Sequence, residues 1–314
     1  MSRRAKFRIY EVPVVQFLLY LVLRLTVMVT DMFPYRMAPA IGKLIGGFIR
    51  LVDRKHVRIA AKNLENSVGV CPPHRIPRFI RKVYEHVGLG FVEMLMTPRL
   101  LKRREIPRYV KLVRYDIFDQ VRKDGRGVIA VIAHLGNWEI GGVASTLAGY
   151  PLESLARPLG NPWIDRYLQE FRTQSGQRII HRDRALGEMI RVLHRGGILV
   201  VQVDQDARQA GVYVNFFGRP ASTHRAPATL SLKYNAPLVI VNTYREGQVN
   251  YAILSEPLYP DAFRREPDPV RALTQAYCDR LEGYIRQHPE QWFWMHDRWK
   301  TAERVARKTS ESLV

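Results

Sequence analysis

Cysteine is nearly absent from this chain. Two occur in 314 residues, Cys71 and Cys278. They are too few and too far apart for a disulfide framework or a zinc cluster, and such usage suits a reducing compartment. Other signatures are missing as well. There is no Gly-x-Ser-x-Gly elbow for serine hydrolysis, no dinucleotide fingerprint and no Walker A loop. There is no internal repeat or low-complexity segment. Acidic residues are scarce, 29 against 49 Lys and Arg, which leaves a net charge of +20. A surplus of that size seeks anions: nucleic acid, anionic headgroups, phosphorylated substrates or acidic carrier proteins. No RNP-like segment, C2H2 spacing or helix-turn-helix supports nucleic acid. With 46% hydrophobic and 25% charged residues, the chain is globular by composition, one large α/β domain with an appendage or two small domains.

The most informative stretch is His134-Leu-Gly-Asn-Trp-Glu139. It follows the apolar run Gly127–Ala133, which reads as a buried strand, and precedes Ile140–Ala148, which reads as a tightly packed helix start. A histidine and a carboxylate five residues apart therefore stand at a strand-to-helix junction. There the first helix N–H groups are free and point outward. A base, a carboxylate to orient it and oxyanion donors from Gly136, Asn137 and Trp138 meet in that arrangement, the minimum for moving an acyl group from a thioester to a hydroxyl. The plainer reading makes Asn137 an N-cap and Glu139 a first-turn carboxylate complementing the helix dipole.

The N-terminus carries Arg3, Arg4, Lys6 and Arg8, followed by an apolar run from Val12 to Phe33. That run is near the roughly 20 residues a spanning helix needs. Arg24 in its middle costs about 2.5–3.5 kcal/mol at a bilayer centre unless it snorkels. We read the run as an uncleaved membrane anchor with the basic end on the cytoplasmic side. A signal peptide and a buried globular helix are the competing readings. Tyr35 to Thr97 is helical by spacing, with Pro98 as its expected end. A basic patch follows from Arg99 to Arg114.

From Tyr109 strands and helices alternate. Strands are predicted at Val128–Ala133, Leu152–Ala156, Gln177–Ile180, Ile198–Val203 and Leu238–Thr243, with an antiparallel one at Val249–Ser255. Helices are predicted at Asn161–Gln174, Ala185–Arg195, Thr223–Tyr234 and Pro269–Gln287. The fold class is α/β: a mixed, mostly parallel central sheet flanked by helices. The expected organisation is 1–34 anchor, 35–108 helical region, 109–300 α/β domain and 301–314 polar tail. Ligands in such sheets bind beyond the strands' carboxyl ends, where His134, the Arg157–Pro162 segment and Asp204-Gln205-Asp206 all fall. Arg157 suits a bidentate grip on phosphate or carboxylate. Asp204 and Asp206 suit a metal, substrate orientation or turn capping, but no third ligand with metal spacing is evident, and no metal is expected. Thr223 is expected to cap the helix after Phe216-Phe-Gly218. Trp292, Phe293, Trp294 and Trp299 read as core or membrane-interface aromatics.

Five ordered blocks together resemble the bacterial lipid A biosynthesis acyltransferase family: His134–Glu139, Arg157–Pro162, Asp204–Asp206, Phe216–Gly218 with Thr223, and Pro289–Lys300. The resemblance covers nearly the whole chain. It implies a glycerolipid-acyltransferase fold at the cytoplasmic face of the inner membrane. It implies an acyl carrier protein thioester as donor, an anionic glycolipid hydroxyl as acceptor and no cofactor. His134 and Glu139 fall on the family's catalytic His-x4-acid motif. Arg157, Asn161, Asp204, Gln205 and Thr223 fall on its further motif positions, as substrate-binding candidates. Related mannoside acyltransferases use a coenzyme A thioester and a phosphoinositide acceptor, which leaves donor and acceptor open. A membrane-tethered nucleic-acid binder and a metal-dependent hydrolase using His134, Asp204 and Asp206 are the readings from other classes.

Overall fold

A computed structural model describes residues 12–156, 158–181 and 185–311. The helices are α1 (Pro13–Asp31), α2 (Ala38–Val52), α3 (Arg54–Glu65), α4 (Ile76–Lys102), α5 (Ile106–Tyr109), α6 (Asp116–Arg122), α7 (Trp138–Leu147), α8 (Pro162–Gln174), α9 (Ala185–His194), α10 (Ala226–Tyr234), α11 (Pro269–Gln287) and α12 (Lys300–Glu311). The strands are β1 (Val110–Val113), β2 (Val128–Ile132), β3 (Leu152–Ala156), β4 (Arg178–His181), β5 (Ile198–Gln202), β6 (Val212–Phe216), β7 (Arg219–Thr223), β8 (Leu238–Glu246) and β9 (Val249–Leu254).

Seven strands form one sheet in the order β1-β9-β8-β2-β5-β3-β4. Only the β8–β9 hairpin is antiparallel; every other pairing in the sheet is parallel. Its central strands β2 and β5 are runs of Val, Ile and Leu buried on both faces, the pattern of a sheet covered by helices on both sides. The expected α/β class and the antiparallel strand near Val249 are therefore borne out. β1 and the separate hairpin β6–β7 escape the sequence pattern. β1 is only four residues long, and the hairpin strands are interrupted by Asn215 and Pro220, with Phe217-Gly218 at the tip.

Three expectations need correction. α4 does not stop at Pro98 but runs through it to Lys102; proline's missing N–H costs one bond near the helix end, and burial of Leu95, Met96 and Leu100 holds the last turn. Lys300 to Glu311 is helix α12 rather than a loose tail. Its inner side is fixed by Glu303, which pairs with Lys62 and, at 2.6 Å, with Arg219. Thr223 caps no helix: it ends strand β7, and α10 begins three residues later.

The N-terminal helices pack around α4. α2 crosses it at glycines: a Cβ on Gly46 would stand 2.0 Å from the Tyr84 carbonyl oxygen, and one on Gly88 2.2 Å from that of Gly42. Only the missing side chains allow this approach. α2 turns its other face outward, with Leu44, Phe48, Leu51 and Val52 exposed. α1 is the one helix among the described residues long and apolar enough to cross a membrane.

Candidate active site

The site is a consequence of strand register. β2 and β5 lie side by side with Ile132 opposite Gln202, and Val203 N–H donates to the Ile132 carbonyl at 3.2 Å. Two residues further along each strand stand His134 and Asp204. His134 Nδ1 lies 2.7 Å from Asp204 Oδ1, and the His134 backbone N–H donates to Oδ2 at 2.8 Å. Trp292 Nε1–H donates to the same Oδ2, also at 2.8 Å. The carboxylate thus receives three donors while almost wholly buried.

The C-terminal aromatic block builds the wall behind this pair. Gly136 N–H donates to the Gln291 carbonyl at 3.1 Å, and Phe293 N–H to the His134 carbonyl at 3.0 Å. Leu135 and Trp292 form an antiparallel bridge. Trp292, Trp294 and Trp299 are buried in the main core, with Phe216 and Phe217 against Trp292. These tryptophans are core residues, and one of them also holds a charged atom of the site. Gly136 adopts φ +60°, and a Cβ there would meet the Thr243 carbonyl oxygen at 2.3 Å. The motif's glycine is thus required twice over, by conformation and by space.

Burial works against the charged form of Asp204, but His134, the backbone N–H and the Trp292 indole outweigh it and hold its pKa down to about 2. Burial likewise opposes protonation of His134; the Asp204 carboxylate outweighs it, with Glu139 adding a weaker pull, and its pKa is raised. With Nδ1–H directed at Asp204, the neutral tautomer places a lone pair on Nε2. Gln205 Nε2 stands 3.5 Å from that nitrogen, at the limit of hydrogen-bond reach. Trp138 packs edge-on to the imidazole, centroids 4.9 Å apart.

Glu139, predicted to orient His134, makes its hydrogen bonds elsewhere. Both of its oxygens accept from Arg172 on α8, at 2.5 and 3.0 Å. The carboxylate on the imidazole is Asp204. Asn137 does cap α7, its Oδ1 accepting from Ile140 N–H at 3.2 Å. Of the predicted oxyanion donors, the Gly136 amide is spent on Gln291, which leaves those of Asn137 and Trp138 at the open start of α7.

Arg157 lies outside the described residues. Asn161 caps α8 through Trp163 and Ile164 N–H, and its Nδ2 donates to the Gln16 carbonyl at 2.9 Å, which ties α8 to α1. Thr223 is fully buried and its hydroxyl accepts from Arg298. Asp206 accepts from Thr301 at 2.6 Å, and its N–H donates to His296. Among the described residues no group of three or more His, Cys, Asp or Glu is placed to hold a metal ion. In the basic patch, Arg99 is spent on the carbonyls of Asp31 and Phe33, and Arg114 pairs with Glu256. Lys102, Arg103, Arg104, Arg108 and Lys111 remain exposed.

One support was not anticipated. Glu93 of α4 is buried beneath the motif turn, and its Oε2 accepts from Asn137 Nδ2 at 2.8 Å. Its Oε1 meets Tyr35, Arg245 and Asn250. The sequence carries a faint signal of this, a lone carboxylate on the apolar face of a helix between Leu89 and Met96. Its partners lie 44 to 157 residues away, and nothing local announces them.

Comparison with known proteins finds relatives along most of the chain. The chain is 27% identical over 272 residues to the lipid A biosynthesis lauroyltransferase of Escherichia coli K12, covering 85% of each chain. It is 25% identical over 272 residues to that organism's palmitoleoyltransferase, covering 85% of this chain and 86% of the relative. It is 24% identical over 247 residues to a phosphatidylinositol mannoside acyltransferase of Mycobacterium tuberculosis H37Rv, covering 76% and 75%. The sequence profile of bacterial lipid A biosynthesis acyltransferases matches residues 5–301. The chain belongs to that family, and it is an acyltransferase.

Proposed function

We propose that this enzyme moves a fatty acyl chain from an acyl carrier protein thioester to a hydroxyl of an anionic membrane glycolipid of the lipid A type, with His134 as general base. The observation that carries the reading is the His134–Asp204 pair, which leaves Nε2 as the reactive nitrogen. Asp204 fixes the tautomer and stabilises the imidazolium that forms. Nε2 takes the proton of the acceptor hydroxyl as its oxygen attacks the thioester carbonyl. The tetrahedral intermediate then expels the thiolate, and the imidazolium returns the proton to sulfur. Base catalysis of this kind contributes about 10²- to 10⁴-fold. The amides of Asn137 and Trp138 are the proposed oxyanion donors. Glu139, braced by Arg172, adds negative potential near the ring. Neither cysteine takes part: Cys278 is buried with its thiol pushed up to about 12, which removes it as a nucleophile.

The relatives' names support a glycolipid acceptor, and the +20 charge suits an acidic carrier and a phosphorylated lipid. α1 supports attachment to the membrane, which for a carrier-protein donor means the cytoplasmic face of the inner membrane. The test supplies radiolabelled acyl-acyl carrier protein, with acyl-coenzyme A in parallel, and an anionic lipid extract to wild type and His134→Ala. A labelled lipid made only by the wild type and only from the carrier-linked donor is expected. Product from coenzyme A alone would overturn the donor assignment; equal product from His134→Ala would overturn the base.

A further inference from the structure

We infer that α1 lies in the plane of the membrane, half immersed, and does not cross it. Three independent observations carry this.

The first is how α1 is seated. It runs alongside α8 in the same direction for most of its length. Gln16 Nε2 donates to the Gly160 carbonyl at 3.0 Å, and Asn161 Nδ2 to the Gln16 carbonyl. Phe17 and Tyr20 meet Trp163 at 5.2 and 6.0 Å between centroids. One turn further, the Arg24 guanidinium lies 5.9 Å from the Tyr167 ring. The far end is fixed by Arg99, which donates to the Phe33 carbonyl at 2.9 Å. A helix of 19 residues is about 28 Å long, close to the ~30 Å of a hydrocarbon core. Standing upright, α1 would hold α8 at the same depth. But α8 carries Arg166 and Glu170 on its outer face, their side chains 77% and 59% exposed, and charged groups at mid-bilayer depth are strongly disfavoured.

The second is the division of α1 into faces. Val14, Leu18, Leu21, Val22, Leu25, Met28, Val29 and Met32 recur at helical spacing, 44% to 79% exposed. Gln16, Leu23, Thr26, Val27 and Thr30 turn the opposite way and are half-buried or buried. α1 thus offers a continuous apolar side to lipid while part of its other side rests on protein, so it meets the bilayer from one side rather than all round.

The third is charge. Arg3, Arg4, Lys6 and Arg8 precede α1, and Arg36, Lys43 and Arg50 follow it within 20 residues. Basic flanks stay on the cytoplasmic side. A single crossing would put one of these flanks, and with it a difference in sidedness between N-terminus and catalytic domain, on the wrong face. Lying flat satisfies both. The bilayer that receives α1 is thus an anionic leaflet on the side of the catalytic domain.

The inference rests on the membrane attachment proposed above, and its test separates the two. In the full chain with Cys71→Ser, a fluorophore is placed on Val14→Cys, Val22→Cys or Val29→Cys and the protein is reconstituted into phosphatidylglycerol–phosphatidylethanolamine vesicles. Quenching by nitroxides at the 5- and 12-positions of lipid chains reads depth. In-plane seating predicts one shallow depth at all three sites, with the 5-position the stronger quencher throughout. A deep Val22 between shallow Val14 and Val29 would overturn the in-plane inference and keep the attachment. Quenching of all three by aqueous iodide would overturn both. As a second reading, an impermeant maleimide should label Ser2→Cys and Ser310→Cys from the same face of the membrane; labelling from opposite faces would overturn the inference.

Discussion

His134 and Asp204 stand 70 residues apart in sequence and 2.7 Å apart in space, each two residues beyond the paired ends of neighbouring parallel strands. The pair is made by register. A one-residue slip of β5 against β2 would carry the carboxylate away from the imidazole and turn the side chains of β5 to the opposite faces.

Asp204→Asn should leave the fold intact and lower kcat about 10²- to 10⁴-fold, the range of a general base deprived of its orienting partner. Because Asp204 touches no substrate in the proposed scheme, KM should change much less. A loss confined to KM would assign Asp204 to substrate binding.

The pH profile follows from the same pair. As the proposed base, His134 must be neutral to act, and its pKa is raised because Asp204 outweighs burial. The acid limb of kcat/KM should therefore lie above the ordinary histidine value of about 6.5. In Asp204→Asn burial is opposed only by the weaker pull of Glu139, and the limb of the residual activity should move to lower pH. The stability contributions have opposite signs. That of His134 is complete below its unfolded pKa and is lost as pH rises through the raised folded value. That of Asp204 is present above its unfolded pKa and is lost as pH falls through about 2. Denaturant midpoints between pH 2 and 9 would check both.

Trp292→Phe keeps an aromatic ring but removes part of the buried indole together with one donor to Asp204. A hydrogen bond to a charged group contributes about 1.5–3 kcal/mol and the smaller ring adds a packing loss, so stability should fall by at least that range and activity should fall with it. Unchanged urea midpoints and unchanged kcat would show that the indole N–H is idle.

Glu93→Ala leaves Arg245 buried without its carboxylate. Breaking such a pair costs about 3–5 kcal/mol, and a melting experiment should register it. Glu93→Gln keeps the shape and an acceptor for Asn137; it should lose less stability while lowering kcat through a looser motif turn. If kcat tracks stability alone across the two variants, Glu93 has no positioning role.

Glu139 and Arg172 form one unit, so their truncations should not add. A double-mutant cycle with Glu139→Ala and Arg172→Ala should give a coupling of about 0.5–3 kcal/mol in stability. Additive losses would dissolve the pair. Rescue of Arg172→Ala by Lys is expected to be incomplete, because Arg172 reaches both oxygens of Glu139 at once.

Much of this was open to reading in the chain. The buried runs that became β2 and β5, the motif at the end of β2 and the acidic residues after β5 all have local signatures, because burial on both faces leaves continuous apolar stretches. What stayed hidden was pairing. Asp204 was one of several polar residues at strand ends, and only the adjacency of β2 and β5 singles it out over Glu139, which the spacing of the motif favours. Asn161 and Thr223 carry polar side chains at motif positions, yet tertiary contacts with α1 and Arg298 absorb them. Pro98 misled because local propensity ends a helix there, whereas burial of Leu95, Met96 and Leu100 continues it.

α4 is 27 residues long, a rod of about 40 Å. It touches α2 at Gly88, the end of α1 through Arg99 and the Asp31 carbonyl, and the motif turn through Glu93. One long helix therefore joins the proposed membrane seat to the proposed base. With the seat and base as proposed, it works as a ruler: the height of the reaction centre above the lipid surface is built into the helix and does not depend on how deep an individual acceptor headgroup happens to ride. A substitution that tilts this strut would displace the chemistry from its substrate while leaving every reacting side chain in place.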